Sequence, residues 1–208
     1  MLSSFFRYIT LNKDSKFFSG IVLDQLIVSG GNFLTTFIII KFLGIRGFGI
    51  FSAIWILIIS ANMLQQALII SPLLTVSGKL ENKYKSIYIN DMFFIQLLFS
   101  LISSSVILLI LKYGRILINL EFINNNFRIC IFISMSIIQI QEFFRRSIYV
   151  SHKIEKVIMM DLIRYLSQIT GLIVILFYGF KNTEYILLIY SFSCLLSILL
   201  SNRYLLKI

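Results

Sequence analysis

The chain has 208 residues, of which 58% are hydrophobic and 13% are charged, and its mean hydropathy is +0.91. Soluble domains carry about 25% charged residues, so this chain lacks the polar surface that a water-soluble fold needs. The formal net charge of +10 does not indicate nucleic-acid binding, because Lys and Arg fall in short clusters between apolar runs.

The N-terminal segment, residues 1–18, mixes aromatic and charged side chains. Phe5, Phe6 and Tyr8 could lay this segment along the membrane surface as an amphipathic lead-in, and a disordered tail fits the same composition. A cleaved signal peptide is not expected, because the first apolar run is followed by several more.

Residues 19–208 predict an all-α fold, a polytopic transmembrane helical bundle of about six spans. A spanning helix needs about 20 mainly apolar residues, and the apolar runs here are continuous, unlike the alternating strands of a membrane barrel. The six predicted spans are residues 19–42, 48–72, 88–112, 127–149, 157–180 and 184–203. The Gly-rich turn Gly44 to Gly49 makes the first two helices antiparallel neighbours, and Pro72 can end the second helix at little cost.

The distribution of Lys and Arg predicts the orientation, because cytoplasmic loops retain positive charge. Twelve of the 19 lie on the side that holds both termini, six lie on the other side, and Arg164 lies within a span. We therefore expect a multi-pass protein of the inner (cytoplasmic) membrane with both termini in the cytoplasm. No segment outside the membrane exceeds about 20 residues, which leaves no room for a separate catalytic domain.

Polar side chains form stripes along five of the predicted helices. In the fifth span, Asp161, Arg164, Gln168 and Gly171 share one face, and Asp161 is close enough to Arg164 to pair with it. The other stripes hold Asp24, Gly31 and Thr35 in the first span, Asn62, Gln65 and Gln66 in the second, Gln96, Ser100 and Ser103 in the third, and Gln139, Glu142 and Arg146 in the fourth.

Two interpretations of these stripes are open. Ser, Asn and Gln commonly join membrane helices by hydrogen bonds worth about 0.6 kcal/mol each, and we favour this interpretation for the serines. A charge within a span costs about 2.5–3.5 kcal/mol, so Asp24, Asp161 and Arg164 favour a hydrated cavity. Glu142, Arg145 and Arg146 lie near the cytoplasmic boundary, where a structural and a functional role fit equally well.

Enzyme and metal motifs are missing from the sequence. The thiols of Cys130 and Cys194 lie in apolar runs without metal-type spacing, so we expect packing thiols, no metal site and no cofactor. Ser77-Gly78-Lys79 looks like the end of a phosphate-binding loop, but leucines occupy the flanking Gly and hydroxyl positions that such a loop requires. We therefore expect a protein that is not an enzyme.

A set of short motifs follows the predicted helices in order. They are Asp24 with Gly31-Asn32-Phe33, Phe42-Leu43-Gly44 with Phe48-Gly49, the segment from Gln66 to Pro72, the segment from Glu142 to Arg146, and the segment from Asp161 to Tyr165. In this order they resemble the N-terminal half of the polysaccharide and O-antigen flippases of the MOP exporter superfamily. The resemblance covers residues 20–180.

The resemblance implies one lobe of a transporter that turns over an undecaprenyl-linked glycan in a central cavity. It implies that Arg164, with Arg145 and Arg146 at the cytoplasmic mouth, holds the pyrophosphate of the lipid-linked oligosaccharide. Asp24 and Asp161 would set the charge state of Arg164 or bind a coupling cation. The full set of expected cavity residues is Arg164, Asp161, Asp24, Gln168, Asn62, Gln66, Arg145 and Arg146.

Flippases of that family have two lobes, so the expected partners are the lipid bilayer and a second transmembrane lobe or a second copy of the chain. Two alternatives stay open. One is a non-catalytic membrane subunit or truncated half-transporter that needs a partner lobe. The other is a membrane enzyme of polyprenyl-linked glycan assembly, although the loops are poor in acidic and His residues that could act as acid and base.

Overall fold

The structure is a computed structural model that describes residues 13–118, 124–151, 153–180 and 182–205. All regular secondary structure in these ranges is helical, which confirms the all-α prediction. The helices are α1 (Lys13–Gln65), α2 (Ser71–Ser77), α3 (Asn82–Ile118), α4 (Asn125–Val150), α5 (Ile154–Phe177) and α6 (Thr183–Leu205), and a π-helical turn (Gln66–Ile70) joins α1 to α2. Residues 1–12 of the predicted lead-in lie outside the described residues.

Five helical segments of the described chain are long and apolar enough to cross a membrane. They are Phe18–Ser77, Lys83–Tyr113, Asn125–Val150, Ile154–Phe177 and Thr183–Ser201. The chain therefore has the build of a multi-pass membrane protein. The number of such segments is five, compared with the six predicted spans, because the first two predicted spans lie in one helical stretch of 60 residues.

This first stretch is interrupted at Gly44, whose backbone angles (φ 69°, ψ 179°) are not helical. Glycine adopts a positive φ readily because it has no Cβ. Asp24 and Gln65 both contact α4 between residues 139 and 149, which are about 15 Å apart along a helix. A straight helix would separate Asp24 from Gln65 by about 60 Å, so the chain folds back at Gly44.

The π-helical turn allows the helical path to continue past Pro72. A proline at this position has no N–H to donate to the carbonyl of Leu68, and its ring would clash with that carbonyl in an α-helix. The wider turn pairs the backbone N–H of Ser71 with the carbonyl of Gln66, five residues earlier. The helix accordingly runs on to Ser77 and does not end at Pro72.

Buried apolar side chains hold the helices together. The largest cluster joins both halves of α1 to α3, α4, α5 and α6, and Ile39, Ile58, Ile131, Leu172 and Leu187 are fully buried within it. The most extensive helix contacts are those of α1 with α5, α5 with α6, α4 with α6 and α3 with α4. Helix α3 therefore lies at one edge of the bundle, against α4.

The close contact between α1 and α5 depends on Gly31. A Cβ added to Gly31 would lie 2.8 Å from Cε1 of Tyr165 and closer still to two other ring atoms, whereas a Cβ added to Gly30 would meet nothing within 4 Å.

We expect Gly31→Ala to lower the free energy of unfolding by about 1–3 kcal/mol, because the ring of Tyr165 must move. The matched variant Gly30→Ala should leave it unchanged or slightly higher, because alanine favours a helix. Thermal unfolding in detergent micelles compares the two, and equal melting temperatures would contradict this packing.

Candidate functional site

A buried arginine connects three helices. Arg145 of α4 is 5% exposed. Its Nη2 donates to Oδ2 of Asp24 in α1 at 2.6 Å, and its Nε donates to Oδ2 of Asp161 in α5 at 2.7 Å. Both aspartates are fully buried, and the hydroxyl of Tyr149 also donates to Oδ2 of Asp24. Arg145 therefore fixes α1 and α5 against α4.

Carboxylates compensate the charge of Arg145 more than fully. Besides its two aspartate partners, Glu142 places Oε1 3.5 Å from Nη1 of Arg145, while the same oxygen accepts a hydrogen bond of 2.6 Å from Nε of Arg146. A buried ion needs such partners, because an uncompensated charge in a low-dielectric interior is strongly destabilising. A phosphate at Arg145 would compete with these carboxylates for its charge.

A cavity of about 450 Å³ lies beside this charged cluster, between both halves of α1 and helices α4, α5 and α6. Its volume falls within the range of about 300–1,000 Å³ that is usual for small-molecule sites. The polar and charged residues of its wall are Asn32, Thr35, Thr36, Ser52, Glu142, Arg145 and Arg164. The aromatic residues of its wall are Phe48, Phe51, Trp55, Tyr165 and Tyr190.

Arg164 differs from Arg145 in its surroundings. Its Nη1 donates to Oε1 of Gln141 at 2.9 Å, its guanidinium lies over the ring of Tyr165 at 5.4 Å from the centroid, and its Nε is buried without a hydrogen-bond partner. Among the described residues, Arg164 makes no ion pair, since Asp161 pairs with Arg145. Arg164 therefore lines the cavity without a carboxylate in direct contact among the described residues, and Glu142 lies in the same wall.

The remaining predicted residues lie outside the cavity wall. Gln168 is fully buried one turn after Arg164, and neither atom of its amide group has a hydrogen-bond partner. Asn62 is half-buried, and Gln66 lies exposed in the π-helical turn. Arg146 pairs with Glu142. The structure thus brings Asp24, Asp161, Arg145 and Arg164 together and places the others around or away from them.

Two neutral partners of the arginines, Gln141 and Tyr149, were not predicted from the sequence. Gln141, Arg145 and Tyr149 are spaced i, i+4 and i+8 in α4, so they share one helix face. This spacing could have identified Gln141 and Tyr149 as neighbours of Arg145. The predicted stripe of Gln139, Glu142 and Arg146 runs along a neighbouring face.

A second polar cluster is uncharged and joins α1, α3 and α4. The amide Nε2 of Gln65 donates to Oε1 of Gln96 at 3.0 Å and to the backbone carbonyl of Gln139 at 2.8 Å. The hydroxyl of Ser103 donates to Oε1 of Gln139 at 3.0 Å. Ser134 and Ser191 form a similar bond of 2.7 Å between α4 and α6. These contacts are of the kind that joins membrane helices.

No group of three or more His, Cys, Asp or Glu side chains that could hold a metal ion occurs in the described part of the chain. No protein-family model, curated protein or solved structure matches this chain. The fold and the site define a helical protein of multi-pass build with a charged cavity inside its bundle.

The ion pairs of Arg145 should contribute strongly to stability. Arg145→Gln leaves two buried carboxylates without a counter-charge, so we expect a loss of about 3–5 kcal/mol in the free energy of unfolding. The matched variant Arg146→Gln removes a cation whose side chain is 29% exposed, and it should cost about 1 kcal/mol or less. Chemical denaturation in mixed micelles measures both.

A triple variant, Asp24→Asn, Arg145→Gln and Asp161→Asn, tests the electrostatic reason for that loss. It removes all three charges, so it should recover part of the stability that Arg145→Gln alone loses. A single variant Arg145→Gln as stable as Arg146→Gln would show that the cluster does not hold the helices.

Proposed function

We propose that the chain is a membrane transporter, a flippase or its N-terminal lobe, which moves a lipid-linked polysaccharide or O-antigen precursor across the cytoplasmic membrane without catalysing a reaction. The observation that carries this proposal is Arg164, a cation without a carboxylate partner among the described residues, at the wall of a cavity inside an apolar bundle. A guanidinium binds phosphate oxygens through two parallel N–H groups. Arg164 would hold the pyrophosphate of the lipid-linked precursor.

The contrast between the two cavity arginines supports this role. A cation within a spanning helix costs about 2.5–3.5 kcal/mol, and a purely structural arginine recovers that cost from carboxylates, as Arg145 does with Asp24 and Asp161. Arg164 has instead a neutral amide and an aromatic face. A site arranged in this way retains affinity for an anionic ligand.

Aromatic side chains of the cavity fit the sugar part of the substrate. The rings of Phe51 and Trp55 stack with centroids 5.7 Å apart, and Tyr190 meets Trp55 edge to face at 4.9 Å. Such rigid, flat surfaces beside Asn32 and Ser52 combine apolar contact with hydrogen-bonding groups, as ligand sites commonly do. The glycan would lie along this wall while Arg164 holds the phosphates.

The proposed topology has six crossings with both termini in the cytoplasm. A straight helix of the 60 residues in Phe18–Ser77 would be about 90 Å long, three times the thickness of the hydrocarbon core. The break at Gly44 divides this stretch into two helices of spanning length, which supports two crossings. With the four later segments, the chain crosses six times.

A second lobe or a second copy of the chain would complete the transporter. Asn32 and Thr36 line the cavity and are nevertheless exposed on α1, and polar side chains in a membrane usually face protein or water. Alternating access commonly rocks one bundle against another around a site at their interface. The same exposed wall favours the second candidate function, a subunit that transports only with a partner lobe.

Replacing Arg164 should separate transport from folding. In the full-length gene of the host, we expect Arg164→Ala to reduce the surface glycan about tenfold or more, because charge-assisted hydrogen bonds to the phosphates contribute about 1.5–3 kcal/mol each. Arg164→Lys keeps the charge but loses the planar fork, so it should retain part of the export. Surface glycan and the amount of protein in the membrane are measured together.

The control for this experiment is Lys79→Ala, which removes an exposed cation after α2. It should export as the wild type does. Export at the wild-type level by Arg164→Ala, at equal protein level, would refute the role of Arg164.

Cysteine labelling tests the six crossings. In a background without Cys130 and Cys194, Ile45→Cys lies one residue after the break, where the side chain is 90% exposed, and Lys83→Cys lies at the start of α3. We expect a membrane-impermeant maleimide to label Ile45→Cys from outside the cell and Lys83→Cys only after the membrane is opened. An unreactive Ile45→Cys would place Gly44 inside the membrane and contradict the six crossings.

A further inference from the structure

A crevice of about 680 Å³ separates the C-terminal part of α3 from the first turns of α4. It lies away from the cavity of Arg164, whose described wall residues come from α1, α4, α5 and α6. The residues that line the crevice are Ser105, Leu108, Leu109, Lys112, Asn125, Arg128 and Ile129. Two of them are cations, and none of these described residues is acidic.

Neither cation of the crevice pairs with a carboxylate among the described residues. Arg128 donates from Nη2 to Oδ1 of Asn125, which is neutral. Lys112 is exposed, and it forms no ion pair with another residue that the structure describes. A single ligand in the crevice could therefore meet two positive charges.

The first turn of α4 strengthens the same preference for an anion. Asn125 is the first residue of a 26-residue helix, and the N-terminal end of a helix carries a partial positive charge. The N–H of Phe127 at this end already donates to Oδ1 of Asn124. This end lies in the wall of the crevice, beside Arg128. The charge of the helix end adds to that of the two side chains.

The apolar side chains of the crevice are exposed where lipid acyl chains could contact them. Leu109 is 53% exposed and Ile129 is 55% exposed, and both lie within segments that are apolar enough to span a membrane. Lys112 lies one turn after Leu108 and Leu109, at the end of the predicted third span. Cations one turn beyond a lipid-facing apolar wall lie at the level of the phospholipid headgroups.

We propose that this crevice binds an anionic phospholipid of the surrounding bilayer. The headgroup phosphate would contact Lys112 and Arg128, and an acyl chain would lie along Leu108, Leu109 and Ile129. Helix α3 packs mainly on α4 and has a wide exposed apolar face, so the bound lipid would bridge the edge helix and the helix that it packs on. The proposal is independent of the transport function.

Lipid titration of the purified protein tests this assignment. Native mass spectrometry in mixed micelles compares phosphatidylglycerol with phosphatidylcholine of the same acyl chains. We expect the wild type to bind phosphatidylglycerol more tightly than phosphatidylcholine. The double variant Lys112→Gln with Arg128→Gln should bind phosphatidylglycerol about tenfold more weakly or worse, because each cation near an anionic headgroup strengthens the binding. Ser105→Trp keeps both cations but fills the crevice, and it should weaken binding similarly.

The matched control is Lys41→Gln with Arg46→Gln, which removes two exposed cations near Gly44 and should bind as the wild type does. An excess of inorganic phosphate should not displace the lipid. Equal binding of the two lipids, or wild-type affinity in the Lys112 and Arg128 variant, would overturn the proposal. Displacement by inorganic phosphate would overturn it in favour of a site for free phosphate.

Discussion

The ion pairs of Arg145 with Asp24 and Asp161 constrain the arrangement of the whole bundle. The three residues come from α4, α1 and α5; both aspartates are fully buried, and Arg145 is 5% exposed. A buried charge without its partners is so unfavourable that the three helices can pack only in registers that bring these side chains together. The position of the cavity follows, because its walls are formed by the same three helices and by α6.

The cluster also explains why two arginines at one cavity differ in chemistry. Arg145 uses its donors on carboxylates, so it serves the packing of the helices. Arg164 has Gln141 and the ring of Tyr165 as partners, which orient its guanidinium without cancelling its charge. An anion entering the cavity would therefore meet Arg164 as the available cation, while the neighbouring ion pairs keep the wall rigid.

The fold could be predicted in large part because long apolar runs have few alternatives in a membrane. The helices, the reversal at Gly44 and the buried charges of the fifth span all follow from composition and spacing. The continuation of the helix past Pro72 could not be predicted, because it depends on a π-helical turn that pairs Ser71 with Gln66. Nothing in the local sequence distinguishes this turn from a helix end.

The candidate site was predicted less completely, for a physical reason. Helical spacing identifies which side chains share a face, so it brings Asp161 close to Arg164 within α5. The actual partner of Asp161 is Arg145 of α4, and the rotation of one helix against another is not contained in either helix's own periodicity. For the same reason, the spacing did not show that Gln65 is buried while Gln66, the next residue, is exposed.

The proposed transport requires a hydrated cavity inside the bundle beside Arg164. Ser52 lines this cavity, whereas the adjacent Ala53 is exposed on the outside of α1. In a background without Cys130 and Cys194, reaction with a small hydrophilic thiol reagent in native membranes should modify Ser52→Cys readily and Ala53→Cys slowly. Failure of Ser52→Cys to react faster than Ala53→Cys would contradict a hydrated cavity, because it would show a dry interior.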